Sequence, residues 1–228
     1  PWSTTVTLNL DFDNVSEPRI ISDSTGLATA VWTSYDGNNW IVQSSRSVNG
    51  SAWSTPLNLS RAGSSASSPN LSVNSTGLVS IVWSLYLNGI FNVIEASTSQ
   101  GGGTWSSTQI LSPQDQHSNN PKIATDSSGR SIAIWLTQVN NDAVVQTRTR
   151  SSSGSWSSMS ALSVAGQYAY QPQIVADWQG LATSVWATST GVLKSSTSLN
   201  GGAWSAAVPV SSLNLLAYQP RLLSLIHI

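Results

Sequence analysis

The sequence predicts an all-β fold built from a repeated four-stranded unit, and three co-periodic residue types predict it. Trp-Ser segments recur at spacings of 51, 52, 51 and 48 residues, at Trp2, Trp53, Trp105, Trp156 and Trp204. Prolines recur in parallel at Pro18, Pro69, Pro121, Pro172 and Pro220, and four of them precede a Gly and then a Trp at fixed distances. Units of roughly 40–50 residues with periodic Trp and Gly are typical of β-propeller blades.

The third unit shows how one repeat divides into strands. A first strand is predicted over 121–126, entered through Pro121, and a tight turn follows in which Gly129 supplies a positive φ. A second strand covers 131–135, a third 143–150, and a fourth runs from Trp156 to about Ser163. The second strand of the first unit alternates with a period of two, and no segment has a helical period. A β-solenoid would have shorter repeats, and an immunoglobulin-type array longer ones.

The repeats predict a single domain over 1–228, with four complete blades and fragments of a fifth. The fragments are a lone fourth strand from Trp2 to about Leu8 and a lone first strand from Pro220. Residues 223–228 do not continue the repeat and resemble translated adapter read-through at the end of a metagenomic fragment, so we expect a non-native tail in which His227 has no role. An incomplete ring exposes an inner edge, which predicts self-association.

Composition excludes several classes of partner. Charged residues are only 8% of the chain, against roughly 25% in an average domain, and the net charge is −1. We therefore expect no nucleic-acid binding. No apolar stretch approaches the roughly 20 residues of a membrane-spanning helix, so we expect no membrane insertion. Cysteine is absent, which removes disulfides, thiol catalysis and Cys-based metal sites.

The repeat motif also resembles a known group. Pro-x-Ile-x-x-Asp-x-x-Gly-x-Ala-x-x-Trp, followed by Asn-Gly-x-x-Trp-Ser, resembles the repeats of uncharacterised secreted bacterial β-propellers. The turns at 47–53 and 198–204 are similar to a degenerate sialidase-type Asp-box, with Asn, Gly or Ser replacing the Asp and the spacing one residue short. The resemblance implies a secreted or cell-surface location in a bacterium. It carries little about function, because the Asp-box is a structural turn.

Comparison of the repeats with one another indicates which face carries function. The turns between first and second strands barely vary, whereas the loops joining second to third strands and fourth to first strands vary at nearly every position. In a propeller the two variable loops lie on one face, where binding residues diversify. The candidate ligand-binding residues there are Tyr35, Asp36, Trp40, Tyr86, Asn88, Phe91, Asn140, Asn141, Tyr168 and Tyr170, with Arg19 and Lys122 just after their prolines at the channel mouth.

Aromatic rings beside amides and carboxylates suit a sugar, because rings stack on C–H faces and planar polar groups bind hydroxyls. Trp40 is singled out because it has no counterpart in the pattern of the other loops. The prediction is a non-catalytic module that binds glycan or a protein surface. A glycosidase or sialidase-like enzyme fragment, and an architectural segment of a larger surface protein, remain alternatives.

Catalytic and metal constellations are weak. Glu17 and Glu95 are the only glutamates, and the sequence gives neither a Tyr partner of the kind a sialidase uses. Asp11, Asp13 and Glu17 have calcium-like spacing without an EF-hand's glycine and length, which favours a solvated loop. The recurring Asp23, Asn74, Asp126 and Asp177 are interpreted as turn caps beside glycine. No catalytic residue, metal or cofactor is therefore predicted.

Overall fold

The computed structural model describes residues 5–8, 14–212, 217 and 219–223, and within them the chain forms four four-stranded antiparallel sheets. In chain order the strands are β1 Val15–Ser22, β2 Leu27–Tyr35, β3 Trp40–Val48, β4 Leu57–Asn58, β5 Ala66–Val73, β6 Leu78–Leu87, β7 Phe91–Gln100, β8 Gln109–Ile110, β9 Ser118–Thr125, β10 Ser131–Val139, β11 Asp142–Arg150, β12 Ser160–Ala161, β13 Ala169–Ala176, β14 Leu181–Thr188, β15 Leu193–Leu199 and β16 Val208–Pro209. This part of the chain contains no helix, and hence none able to cross a membrane.

Each sheet is one blade whose strands pair in sequence order, which confirms the predicted all-β propeller arc. The first strands β1, β5, β9 and β13 contact one another from blade to blade, so they form the inner wall. The two-residue fourth strands lie at the outer rim. Trp2 and residues 224–228, including His227, lie outside the described residues.

The core lies between facing blades. Trp83 of the second blade packs with Val31 and Val42 of the first, and Trp186 of the fourth packs with Ile134 of the third. The second-strand tryptophans are buried in all four blades, with exposures of 6, 0, 0 and 0%. The fourth-strand tryptophans are half-buried at blade edges. The repeated tryptophans of the second strands are therefore packing residues, as their periodicity predicts.

The inner strands differ from the prediction, because their prolines lie inside the strand. In β9 the strand begins at Ser118, and the register shifts around Pro121 where one residue is left unpaired. The same shift occurs at the proline of β1, β5 and β13. A bulge removes the need for the N–H that proline lacks, so the strand continues through it.

The outer strands are shorter than predicted, because serine hydroxyls replace part of the backbone ladder. In the first blade Ser54 Oγ accepts from the Arg46 N–H at 3.1 Å, and Ser60 Oγ accepts from the Val42 N–H at 2.9 Å. We call these two serine hydrogen bonds clasps. They recur in the other blades, at Ser106 and Ser112, Ser157 and Ser163, and Ser205 and Ser211. The regular ladder covers two residues per outer strand, and beside it single backbone bonds continue, such as those from the N–H groups of Ser54 to Arg46 O at 2.7 Å and of Leu59 to Val42 O at 2.8 Å.

The turns between first and second strands are fixed by one repeated cap. Asp23 Oδ1 accepts from the N–H groups of Thr25 at 2.9 Å and Leu27 at 3.0 Å. Asn74, Asp126 and Asp177 make the same pair of bonds two and four residues on. The structure thus confirms the turn-capping interpretation of this recurring position, because at each one Oδ1 accepts hydrogen bonds from two backbone N–H groups.

Candidate functional site

The variable face carries a groove between the first and second blades. One wall is the β2–β3 hairpin, where Tyr35 and Trp40 are cross-strand partners with ring centroids 5.6 Å apart and planes tilted by 50°. Asp36 fixes the loop between them, since its Oδ1 accepts from the N–H groups of Asn38 at 2.9 Å and Asn39 at 2.7 Å. These bonds from Asn39 and Asn38 lower the pKa of Asp36. Two aromatic rings are thereby held on a hairpin with a defined loop.

The opposite wall belongs to the second blade. Tyr86, at the end of β6, is 42% exposed, and its hydroxyl donates to Gly89 O at 2.7 Å. The Trp40 N–H donates to Ser65 Oγ at 3.3 Å, which joins the two blades at the groove. The groove encloses about 370 Å³, lined by Ser16, Glu17, Thr33, Trp40, Ser65, Ala66, Ser67, Tyr86 and Asn92. It therefore presents aromatic rings together with hydroxyl, amide and carboxylate groups.

Glu17 supplies the only carboxylate among the groove's lining residues. It lies on the bulge of β1 with φ 53°, and its Oε2 accepts from the Ser68 N–H at 2.6 Å. A glycosidase of the usual type needs two carboxyl groups flanking the scissile bond. This groove offers one, and that one already binds a backbone N–H.

A related arrangement occurs between the second and third blades. Asn92 takes the register position in β7 that Trp40 takes in β3, since it lies opposite Tyr86 as Trp40 lies opposite Tyr35. The ring of Phe91, one residue earlier, meets that of His117 edge-on at 5.2 Å. The Asn92 N–H donates to His117 Nδ1 at 3.4 Å, much as that of Trp40 donates to Ser65. The second blade therefore has Asn92 where the first has Trp40, and no aromatic ring takes this position in the second blade. The different hairpin lengths hide the equivalence in the sequence.

Three predicted contacts have backbone roles in hairpin turns. Asn88 has φ 52° and precedes Gly89 in the β6–β7 turn, while Asn140 and Asn141, with φ 48° and 64°, join β10 to β11. Asn tolerates the left-handed region better than most side chains, which explains its use here. The neighbouring Asp142 accepts from the Gly166 N–H, which ties this hairpin to the fourth blade.

The remaining predicted residues lie apart from the groove. Tyr168 is 51% exposed on the loop before β13, where its carbonyl accepts from the Ser189 N–H at 3.1 Å, and the half-buried Tyr170 lies on β13. Arg19 and Lys122 occupy matching positions on inner strands β1 and β9, two residues after the start of the bulge. Their ligand-binding role, like that of the groove residues, stays a prediction.

The inner-strand cations act on one another. Burial lowers the pKa of Lys122, and the positive charges of Arg19 and Arg221 lower it further, while the Glu17 carboxylate works in the opposite direction. Lys122 Nζ donates to the Pro121 carbonyl at 3.3 Å. The blades thus bring cationic groups that are distant in sequence towards one region of the channel.

Other ionisable groups have structural partners. Glu95 is fully buried, with Oε1 2.9 Å from Arg61 Nη2 and Oε2 accepting from the Trp83 indole N–H at 3.1 Å. Burial raises its pKa, against the opposing effects of Arg61 and Trp83. Within the described ranges no three His, Asp or Glu side chains cluster as metal ligands. Asp11 and Asp13, of the calcium-like run, lie outside those ranges.

Sequence reasoning missed Ser65, Ser67 and Asn92 as groove-lining residues. Ser65 belongs to a loop without distinctive composition, and Asn92 lies inside β7, so neither carried a signal by itself. Glu17 was noted as a loop acid, but its place in the groove follows from the bulge at Pro18. A comparison of hairpin registers across repeats would have been needed to find them.

Comparison with solved structures places the fold among propellers that act on or bind carbohydrate. The chain is similar to the NanB sialidase from Streptococcus pneumoniae, with a TM-score of 0.55 and 14% identity over 88% of this chain and 52% of that one. It is similar to the BP39L lectin from Burkholderia pseudomallei, with a TM-score of 0.63 and 15% identity over 82% of this chain and 52% of the lectin. It is also similar to an α-L-arabinanase from Penicillium chrysogenum, with a TM-score of 0.54 and 14% identity over 83% of this chain and 63% of that one.

These similarities define a class, the β-propellers shared by sialidases, lectins and arabinanases. At identities of 14–15% they establish the fold alone. The chain spans about half the length of the sialidase and the lectin. No family model and no curated protein matches the sequence.

Proposed function

We propose that this chain is a non-catalytic binding module that recognises glycan through the groove between its first and second blades. The observation that carries the proposal is that Trp40 and Tyr86 line one groove together with Glu17 and Asn92, while the Tyr35 ring contacts that of Trp40. Aromatic faces stack on the C–H faces of sugars, and the amide and carboxylate accept or donate to hydroxyls. The same elements would serve a protein ligand less specifically.

Two features support binding over catalysis. The groove's single carboxylate is bonded to a backbone N–H, whereas Asp23, Asp126 and Asp177 cap turns and Glu95 is buried in the second blade. A pair of carboxyl groups facing one open site, as glycoside hydrolysis usually requires, does not occur in the groove. The fold is compatible with a lectin-like role, since a lectin shares it, and the sialidase and the arabinanase share it as well.

The proposal is tested with Trp40→Ala on a glycan array. Loss of the ring should weaken binding by about 1–3 kcal/mol, by analogy with aromatic stacking on nucleobases. Trp178→Ala is the matched control, because Trp178 is 60% exposed and lies in a turn between first and second strands, on the opposite face. We expect the control to bind as the unaltered protein does.

Three results would contradict the proposal. Equal affinity of the Trp40→Ala variant, with its fold intact, would exclude the groove. Release of sugar from the arrayed ligands would make the chain a glycosidase. Absence of binding to any arrayed glycan would favour the architectural role.

A further inference from the structure

Each of the three blade junctions has an arginine on the face of the invariant turns, opposite the groove. Between the first and second blades, Arg46 Nη1 donates to two glycine carbonyls of the next blade's turn, at 3.0 and 2.6 Å. Between the third and fourth blades, Arg130 donates to Asp126 Oδ2 at 2.8 Å and to Asn200 Oδ1 at 2.7 Å. Between the second and third blades the arginine is Arg150, the last residue of β11. The first two arginines therefore have acceptors within the chain.

Arg150 departs from the repeat. Its position, four residues after the one opposite the buried tryptophan, holds Ser47, Ser99 and Ser198 in the other blades. Each of those serine hydroxyls donates to a carbonyl of its own turn, at 2.6–2.8 Å. Arg148 also replaces a serine, and because strand side chains alternate, it lies on the same face of β11. A departure from an otherwise consistent pattern is typical of a functional position.

The charge of Arg150 has no counter-ion in the described part of the chain. Its guanidinium makes no hydrogen bond there, and the two ion pairs of the described residues lie elsewhere. Its Nη2 lies beside Gly154, 3.2 Å from the point that a Cβ on this glycine would occupy. Burial lowers the pKa of Arg150, and no carboxylate acts against this effect. A half-buried cation without a counter-ion favours the binding of an anion.

Arg150 lines two cavities between the second and third blades, one of about 350 Å³ and one of about 60 Å³. Thr98 lines both cavities with it, at the register position that Arg46 has in the first blade, so a short side chain leaves space there. No acidic residue lines either cavity. The hydroxyls of Thr98, Thr104 and Ser152, which line the larger cavity, make no hydrogen bond with the described residues. The junction thus presents a guanidinium and free hydroxyl donors without a competing carboxylate.

We propose that Arg150, with the hydroxyls of Thr98, Thr104 and Ser152, binds the sulfate or phosphate group of an ester. A guanidinium donates two parallel N–H bonds to an oxyanion, and the other oxygens of a tetrahedral group accept from hydroxyls around it. A planar carboxylate would use the guanidinium and leave most of the hydroxyls without an acceptor. The larger cavity exceeds the volume of the anion, so part of the organic group fits as well. The site is independent of the groove, which lies on the opposite face.

The test uses six probes at constant ionic strength: sulfate, phosphate, glucose 6-sulfate, glucose 6-phosphate, glucose and acetate. Binding is measured by calorimetry, and the amide NMR signal of Gly154 locates it. We expect both esters and both inorganic oxyanions to shift the Gly154 signal, with the esters binding more tightly. Glucose should leave the signal unchanged. The Gly102 signal is the internal control, because an arginine already donates to its carbonyl.

Three variants test the residues. Arg150→Ser copies the serine of the other three blades, so it should fold, and it should abolish binding of glucose 6-sulfate. Arg150→Lys keeps the charge without the planar fork and should weaken binding about tenfold or more. Thr98→Glu places a carboxylate opposite Arg150 and should abolish binding by pairing with it. Arg46→Thr is the matched control, since it removes the same charge at the preceding junction, and it should bind as the unaltered protein does.

Each alternative result contradicts a defined part of the proposal. An unchanged Gly154 signal with all four oxyanion probes, or normal binding by folded Arg150→Ser, would overturn the site. Acetate binding as tight as that of sulfate would overturn the tetrahedral assignment. Inorganic ions that bind as tightly as the esters would overturn the ester assignment. Trp40→Ala should leave all these results intact, which separates this site from the glycan groove.

Discussion

At the scale of single residues, the four blades differ in the residue that lies opposite the buried tryptophan of the second strand. The buried second-strand tryptophan faces Gln43, Glu95, Gln146 or Lys194 across the sheet. The Trp indole N–H donates to the first three, and Trp186 has no acceptor because lysine only donates. The position opposite the tryptophan is therefore neutral in two blades, acidic in one and, where it is half-buried, basic in another.

Glu95 gives this position a pH dependence. Its pKa is raised by burial, so the folded protein holds the proton more tightly than the unfolded chain does. The free energy of unfolding should therefore fall as the pH rises from 4.5, the ordinary pKa of this carboxyl, through its raised pKa in the folded protein. Asp23 and Asp36 have pKa values lowered from 3.8. Their protonation therefore lowers the free energy of unfolding only below about pH 3.8, outside this window.

Denaturant melts between pH 4.5 and 7 check this expectation, with Glu95→Gln as the test variant. The variant should lose this component, because a neutral amide already serves the same position at Gln43 and Gln146. Gln43→Glu should add a component of the same sign in the first blade. An identical pH profile in Glu95→Gln would show that the dependence has another source.

At the scale of elements, each second strand contributes one large ring to the interface between blades. Trp135 is fully buried against Val82, Ile94 and Leu111 of the preceding blade. Its replacement by Ala should lower the free energy of unfolding by about 3–5 kcal/mol, since neighbouring sheets cannot close the cavity. Trp178→Ala removes an exposed ring and should change stability by less than about 0.5 kcal/mol. A similar small loss in both variants, measured by denaturant melts, would contradict the packing role.

The elements also show what the sequence could and could not predict. The strand order and the buried tryptophans followed from the periodicity, because each repeat must bury the same face. The bulges were missed, since proline was read as the start of a strand, although a positive φ at Glu17 or Asn120 lets the strand pass through it. Of the groove, the sequence pointed to Trp40 and Tyr86, which line it, and to Tyr35, which contacts Trp40. Ser65 and Asn92 line it only because the first and second blades face each other.

At the scale of the whole molecule, one face of the first blade has no neighbouring sheet among the described residues and borders only the short segment 6–8. Val15 and Ile20 of β1 are 46% and 63% exposed, and they border a cavity of about 570 Å³ lined also by Val31 and Trp32. In the other blades the corresponding face packs against the preceding sheet. We expect this face to cause self-association, because it leaves a contiguous apolar surface in contact with water.

Sedimentation velocity over a range of protein concentrations checks this expectation. The mean mass should rise with concentration, and Ile20→Lys should reduce the rise by placing a charge on the exposed face. Ile90→Lys is the control, since Ile90 is 59% exposed in the β6–β7 turn, away from that face. A monomer at all concentrations would contradict the expectation.

The serine clasps at the rim determine how such contacts form. Each outer strand pairs over two residues, and hydroxyls occupy the ladder positions of the third strand on either side. A rim built in this way offers no long row of backbone groups on which a foreign strand could be added. We therefore expect copies of this chain to associate through side chains of their blade faces, in contacts that can dissociate, and we expect the outer circumference to resist growth into fibrils.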